Sequence, residues 1–420
     1  MANLAIDQGT TTQGVAAFNG GPYQSYWWND EHLSPHLTMR ANMAHRIDSV
    51  ALDSAWEKTL RVYPLLGLVP RVVDEEVLFF EGAGGVAPLR SRSQVAPGTE
   101  AVGGRGVSLT YWGSTLVLSA YHSLTDARGL AEVFKTLLCL YAEASTGVVA
   151  EPACSTLEEG RAPERYFVQS TMLSPRDYTP LPLTLCRSLG DVFCDERVGE
   201  DSDDGVTVAQ ISVPFDPLAS LCAALGTSMD VLLLYVLARG VYAANPGEPR
   251  DLCMAVACDF REAFHVPASI APCSRPMPLV VGSEQVVGRP LGEALAAVAA
   301  MRARQTSRDY VCSHLALENT YGLLNLRRAC ITVNCACDFD IGEAASLLKG
   351  IELFDCSLRS AWLIRLGDAL LANLQFGRET ARYADAFVAV LQELGMDARV
   401  SVTPYVAPVE SAFPVTEPEE

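Results

Sequence analysis

His122 and Asp126 stand four residues apart in the stretch YHSLTDARG, and an imidazole and a carboxylate at that spacing are groups that move and hold protons. An imidazole ordinarily titrates near pH 6.5, so it can take up and return a proton within one reaction cycle. The spacing alone is weak, because an aspartate falls four positions after a given histidine by chance about 5% of the time. A simpler reading competes with it, in which Asp126 is a helix N-cap and His122 a packed loop residue. Context favours chemistry. The apolar run STLVLSAY precedes the histidine, and LAEVFKTLLCLYAEA follows, with Leu130, Val133, Phe134, Leu137, Leu138 and Tyr141 at amphipathic helical spacing. A histidine between a buried strand and a helix is held rigidly and can face a cleft.

A second stretch with chemical potential is LAIDQGTTTQGVAAFNGG, residues 4 to 21, where Asp7, Gly9 and Thr10 to Thr12 suggest a phosphate-cradling hairpin. It resembles the first phosphate hairpin of sugar kinases of the glycerol-kinase type, which implies ATP binding. No second glycine-rich phosphate loop or adenosine segment follows in the expected place, so the stretch reads as a local edge segment with turns.

The elements that must position these residues are mixed. VALDSAWEKTLR has Val50, Leu52, Ala55 and Leu60 at helical spacing, with Pro64 as a stop. Short strand-like runs follow, then a loop rich in Gly, Pro and Ser from Gly82 to Gly106, then a hairpin around Trp112, Gly113 and Ser114. Residues 145 to 205 are mixed and end in the acidic run DERVGEDSDDG, read as a solvated linker. A second lobe begins near Val206, with strands VTVAQISVPF, DLCMAVACDF, ACITVN and ARVSV. Its helices are PLASLCAALG, MDVLLLYVLARGVYAA, GEALAAVAAMRARQ and YADAFVAVLQELG. The boundaries are 1 to 185 for an N-terminal lobe, 186 to 205 for the linker, 206 to 407 for a C-terminal lobe and 408 to 420 for an acidic tail read as disordered.

A chain of 420 residues, 49% hydrophobic and 19% charged, can build two lobes with a sizeable core. The net charge of −19 argues against nucleic acid and anionic membrane surfaces as partners. With no apolar run of membrane-spanning length and no leader pattern, the chain reads as cytoplasmic. Thirteen cysteines are scattered through apolar segments without zinc-ligand spacing, so they read as reduced core residues. Cys330, Cys335 and Cys337 cluster without a nearby histidine, and no metal site is expected there.

Over roughly residues 35 to 405 the chain resembles the superfamily of chloramphenicol acetyltransferase, nonribosomal peptide condensation domains and plant BAHD acyltransferases. Among these it is most similar to bacterial alcohol-acetyltransferase-like and polyketide-associated members. Tyr121 to Ala127 stands where the family has H-H-x-x-x-D-G or H-x-x-x-D-G. LDSAWEKTLRVYPLL resembles the first helix, AVACDFREAF the strand ending in Asp-x-Arg, ITVNCACDFDIGEA the Ser-Asn segment, and GMDARVSV the closing strand. Departures are Tyr121 for the first histidine, Ala127 for the glycine, and Asn334 with Cys335 for Ser-Asn. The resemblance implies an α/β (α+β) fold of two lobes, each a mixed sheet with flanking helices, meeting at a central tunnel. It implies acyl transfer from acyl-CoA, a co-substrate and not a resident cofactor, or from an acyl carrier protein, to an alcohol or amine. His122 would be the general base, Asp126 would pair with an arginine to brace the loop, and Arg261 of DFR is the expected partner. Asn334 and Tyr121 are the candidates for oxyanion donor or channel wall. A monomer is expected. The alternative is a non-catalytic binding protein of the same fold, favoured by a cleft that Tyr121 or the Gly82 to Gly106 loop blocks.

Overall fold

The computed structural model describes residues 18–19, 36–73, 76–81, 87–122, 124–149, 178–182, 192–195, 206–261, 269–321, 330–354 and 359–405. The first half forms β1 (Phe18–Asn19), β2 (His36–Met43), α1 (Ser49–Val62), β3 (Leu68–Val73), β4 (Glu76–Glu81), β5 (Leu89–Arg90), β6 (Val107–Trp112), β7 (Thr115–Tyr121) and α2 (Ala127–Thr146). The second opens with β8 (Val206–Pro214), α3 (Phe215–Leu225), α4 (Met229–Ala244), β9 (Leu252–Asp259), β10 (Ser274–Val281), α5 (Ser283–Val286), α6 (Leu291–Gln305) and α7 (Arg308–Tyr321). It closes with β11 (Ile331–Asp338), β12 (Leu348–Phe354), β13 (Arg359–Leu366), β14 (Ala369–Phe376), α8 (Thr380–Glu393) and β15 (Arg399–Tyr405). The phosphate-hairpin expectation for residues 4 to 21 lies outside the described residues, apart from Phe18–Asn19, which pairs with β4. The tail from 408 also lies outside them.

Local chemistry accounts for the elements around the motif. Asp48 caps α1 by accepting from the N–H groups of Val50 and Ala51, and Pro64 follows its end. Gly113, at φ +55°, and Ser114 make the two-residue turn between β6 and β7. Asp126 caps α2, and Gly147 ends it at φ +77°. One face of α2 packs on α1 and β2, burying Leu130, Val133, Phe134, Leu137 and Leu138.

Two mixed sheets result. The N-terminal sheet has the order β12-β2-β7-β6-β5, and the C-terminal one the order β10-β9-β11-β13-β14-β8-β15. In the larger sheet β11 runs parallel to both β9 and β13 while the other pairs are antiparallel. Each sheet has its own hydrophobic core, the first against α1 and α2, the second against α4, α6 and α8. The fold is therefore two-lobed and mixed α/β.

The division at residues 205 and 206 needs two corrections. β12 leaves the C-terminal half and pairs antiparallel with β2, Ile351 opposite Ala41 and Leu353 opposite Met39. Its alternate residues Ile351 and Leu353 are buried in the N-terminal core, and burial of that apolar face places the strand there. Within the expected solvated linker, residues 192–195 are packed: Phe193 bridges Leu252, and Asp195 accepts from Arg382 Nη2 at 2.6 Å and Tyr383 Oη at 2.8 Å. The acidic run thus includes a buried, paired aspartate.

Candidate active site

His122 is the first residue after β7, and the antiparallel pairing of β7 with β2 and β6 fixes where that strand ends. Its side chain is half-buried, with Nδ1 enclosed. Four residues later stands Asp126, the N-cap of α2, and this start of the helix docks on the segment before β10 in the other lobe. Thr125 Oγ1 donates to the Ile270 carbonyl at 2.7 Å.

Asp126 is the centre of this junction. Its Oδ1 accepts from the Gly129 N–H at 2.9 Å and from Arg261 Nη2 at 2.7 Å; its Oδ2 accepts from Arg261 Nη1 at 3.1 Å and from the Cys273 N–H at 2.9 Å. Arg261 spends its other donors on the Ser269 carbonyl, the Ala271 carbonyl and Asp259 Oδ1. Both side chains are 1% exposed. Burial pushes the Asp126 carboxyl up, but the Arg261 charge and these hydrogen bonds outweigh it and hold the group below the usual carboxylate range. Burial likewise disfavours the charged guanidinium, yet the Asp126 charge keeps Arg261 above its ordinary value. The pair is ionised and its bonding capacity is spent, so Asp126 can orient the loop but has no free lone pair directed at a substrate.

Arg128 adds an outer ion pair to Asp259 across the same junction. Gly129 is the close-approach point: a Cβ there would lie 2.2 Å from the Ile270 oxygen and 2.3 Å from Thr125 Oγ1. Ala127, which stands in place of the motif's glycine, is the first residue of α2 and is only half-buried. The position that excludes a side chain here is Gly129, in the first turn of α2. Its only sequence signal is a poor helix former in the first turn of an otherwise strong helix.

Tyr121 is corrected. Its ring is fully buried in the N-terminal core against His36, at 4.7 Å between centroids, and its hydroxyl donates to the Pro97 carbonyl at 3.2 Å. That proton is directed at Pro97, so Tyr121 stands as a core residue and not as an oxyanion donor. Burial raises its hydroxyl above the usual phenol range. His36, at the start of β2 and directly opposite Tyr121, was not singled out by sequence, and burial lowers its imidazole to about 4. Asn334 lies on β11, half-buried and in register with Trp362 of β13. Cys330 is buried at the start of β11, and no group of three or more metal-ligating side chains occurs among the described residues.

The Gly82 to Gly106 loop is pinned down over its described part. Gln94 Nε2 donates to Thr38 Oγ1 and Ser119 Oγ, and Ser108 Oγ donates to the Val95 carbonyl. This lays residues 94 and 95 along the face of the N-terminal sheet opposite its core.

No family model matches the sequence, and no curated protein matches it. Solved structures do. Polyketide synthase associated protein 5 from Mycobacterium tuberculosis superposes with a TM-score of 0.57 at 12% identity, over 90% of this chain and 98% of its own. The first condensation domain of the calcium-dependent antibiotic synthetase, in complex with a substrate analogue, gives 0.59 at 13% identity, over 89% and 95%. F. sporotrichioides TRI101, complexed with coenzyme A and T-2, gives 0.56 at 10% identity, over 91% and 99%. At such identities the likeness concerns architecture: this chain has the two-lobed fold shared by condensation domains and these related proteins.

Proposed function

We propose that the protein is an acyltransferase that moves an acyl group from coenzyme A, or from a carrier-protein thioester, to an alcohol or amine, with His122 as general base. The observation that carries this reading is the motif loop. His122 follows a buried strand, and the carboxylate four residues later is clamped across the two lobes by Arg261. Such a clamp fixes the imidazole without using it, which is what proton transfer to a positioned acceptor needs.

In the proposed reaction the acceptor O–H or N–H gives its proton to His122 as its lone pair forms a bond to the thioester carbonyl carbon. The tetrahedral intermediate then expels the thiolate, the C–S bond breaks, and His122 returns the proton to sulfur. No covalent acyl-enzyme is needed. Asn334 is assigned to the carbonyl oxygen, on which negative charge develops. Asp126 and Arg261 act as positioning residues. Because the chain carries a net charge of −19, coenzyme A phosphates require a local basic mouth. The fold is shared with a protein solved with coenzyme A, which supports that donor; a monomeric cytoplasmic enzyme is part of the same proposal.

The test is a screen of acyl-CoA thioesters against pooled alcohols and amines, read as acceptor-dependent release of free thiol. Thiol release with at least one pair, lost in His122→Ala, is the expected result. Release that is unchanged in His122→Ala, or no release and no binding with any thioester, removes the reading.

A further inference from the structure

The face of the seven-stranded sheet that Trp362 shares with the N-terminal core carries a row of side chains in register. Asn334 lies opposite Trp362, Trp362 opposite Asn373, Asn373 opposite Gln210, and Gln210 opposite Ser401. Two residues along the strands, and so on the same face, Thr332, Ser360 and Gln375 form a second row. Every member of both rows is uncharged.

Gln210 sets the orientation of Asn373. Its Nε2 donates both to the Ile351 carbonyl, at 2.6 Å, and to Asn373 Oδ1, at 2.9 Å. The Nδ2 donors of Asn373 are thereby turned elsewhere. That Nδ2 and the neighbouring Trp362 Nε1 are both buried and have no hydrogen-bond partner among the described residues; the two residues are 0% and 1% exposed. Buried donors without an acceptor bear the loss of water with nothing in return. Here two of them belong to directly opposed residues, whose Cβ atoms in such pairs are about 5 Å apart. Solvent does not reach either atom, whereas Thr332 and Asn334, which begin the two rows, are half-buried and Ser401 at the far end of the first is exposed. No described residue supplies an acceptor for the two donors, and a ligand entering along the rows from the Asn334 end would bring one.

We propose that Trp362 and Asn373 form a subsite for a neutral oxygen atom of a bound substrate, approached from the Asn334 end. Two N–H donors set in rows of uncharged side chains suit a carbonyl, ether or hydroxyl oxygen. They offer a cation nothing, and they offer a phosphate or carboxylate no countercharge. The inference rests on the acyl-transfer reading, in which the oxygen belongs either to the acyl donor or to the acceptor molecule.

The experiment is a titration of the full chain, labelled with 15N at its tryptophan indoles, followed by NMR; the Trp362 signal among the five tryptophans is identified by its loss in Trp362→Phe. The probes are S-hexanoyl-N-acetylcysteamine for the donor side, hexyl glucoside for the acceptor side, and hexyltrimethylammonium, which has no acceptor oxygen. The expected result is a downfield shift of the Trp362 indole proton with one oxygen-bearing probe, which tells the two sources apart, and none with the ammonium. Affinity for that probe should fall about tenfold in Trp362→Phe. A Trp362 signal that no probe moves, an equal shift with the ammonium, or unchanged affinity in Trp362→Phe overturns the proposal. The titration needs no turnover: wild-type thiol release beside a silent indole signal removes this inference alone, and loss of the His122 assignment leaves an indole shift standing.

Discussion

At the scale of single residues, Asp126 shows how a motif carboxylate is spent. Four hydrogen bonds to Gly129, Arg261 and Cys273 consume both of its oxygens. Asp126→Asn removes the charge and leaves the Arg261 guanidinium buried without its counterion, which should cost about 3 to 5 kcal/mol. Urea denaturation reads this directly, and a midpoint equal to that of the wild type would contradict the bracing role. His36 sets an acid limit of a different kind. Its folded-state value near 4 lies below the ordinary 6.5, so between these pH values the unfolded chain binds a proton that the folded chain refuses. Stability is therefore complete above about 6.5 and falls as the pH drops toward 4, by about 3 kcal/mol from this residue. His314, lowered to about 4 by burial and then by the Arg275 charge, acts in the same direction. Melting temperature followed from pH 7 to 4 should decline, and His36→Phe should reduce the slope; an identical slope in the variant would assign the loss elsewhere.

At the scale of elements, periodicity made α2, α4, α6 and α8 legible, because each shows its apolar residues at helical spacing or is apolar throughout. The hairpin of β6 and β7 was readable from its Gly-Ser turn. β10 was not, since SRPMPLVV holds two prolines, a pattern that argues against a central strand. The structure resolves this by placing β10 at the sheet edge, with Pro276 and Pro278 two residues apart, so that the two missing donors fall on one side. Gly129 was equally hidden, because what forbids a side chain there is the Ile270 carbonyl, 141 positions away in the chain. Exchanging a helical glycine for alanine ordinarily gains up to about 1 kcal/mol. Gly129→Ala should instead lose about 1 to 3 kcal/mol as Ile270 and Thr125 are displaced. Gly292→Ala near the start of α6, where a Cβ meets nothing within 4 Å, should be neutral or stabilising. Opposite signs in thermal denaturation are the expected outcome, and a stabilising Gly129→Ala would mean that the junction tolerates a side chain.

At the scale of the whole molecule, two junctions between the lobes stand out among the described residues. One junction is the α2 first turn on residues 269 to 273; the other is β12, which starts in the C-terminal half and completes the N-terminal sheet. That strand carries Glu352, which pairs with Arg40 and accepts from Thr403 of β15. The two-lobed plan was legible because the strand and helix segments follow one another in the order the resemblance implies. The β12 exchange was not, since LKGIELF is a short strand whose partner is set by the N-terminal core and not by its neighbours in sequence. Nor was the pairing of Trp362 with Asn373, which depends on strand register. The Asp126 and Arg261 pairing was expected only through a resemblance, since 135 positions separate the two. In the proposed function these junctions position the loop that carries His122. The most direct test is therefore His122→Ala on an active acyl-CoA and acceptor pair, with turnover and acyl-CoA binding measured on the same protein. The account predicts a fall in turnover of about 10² to 10⁴-fold, with acyl-CoA affinity and unfolding midpoint retained. Turnover at the wild-type rate in this variant would contradict it.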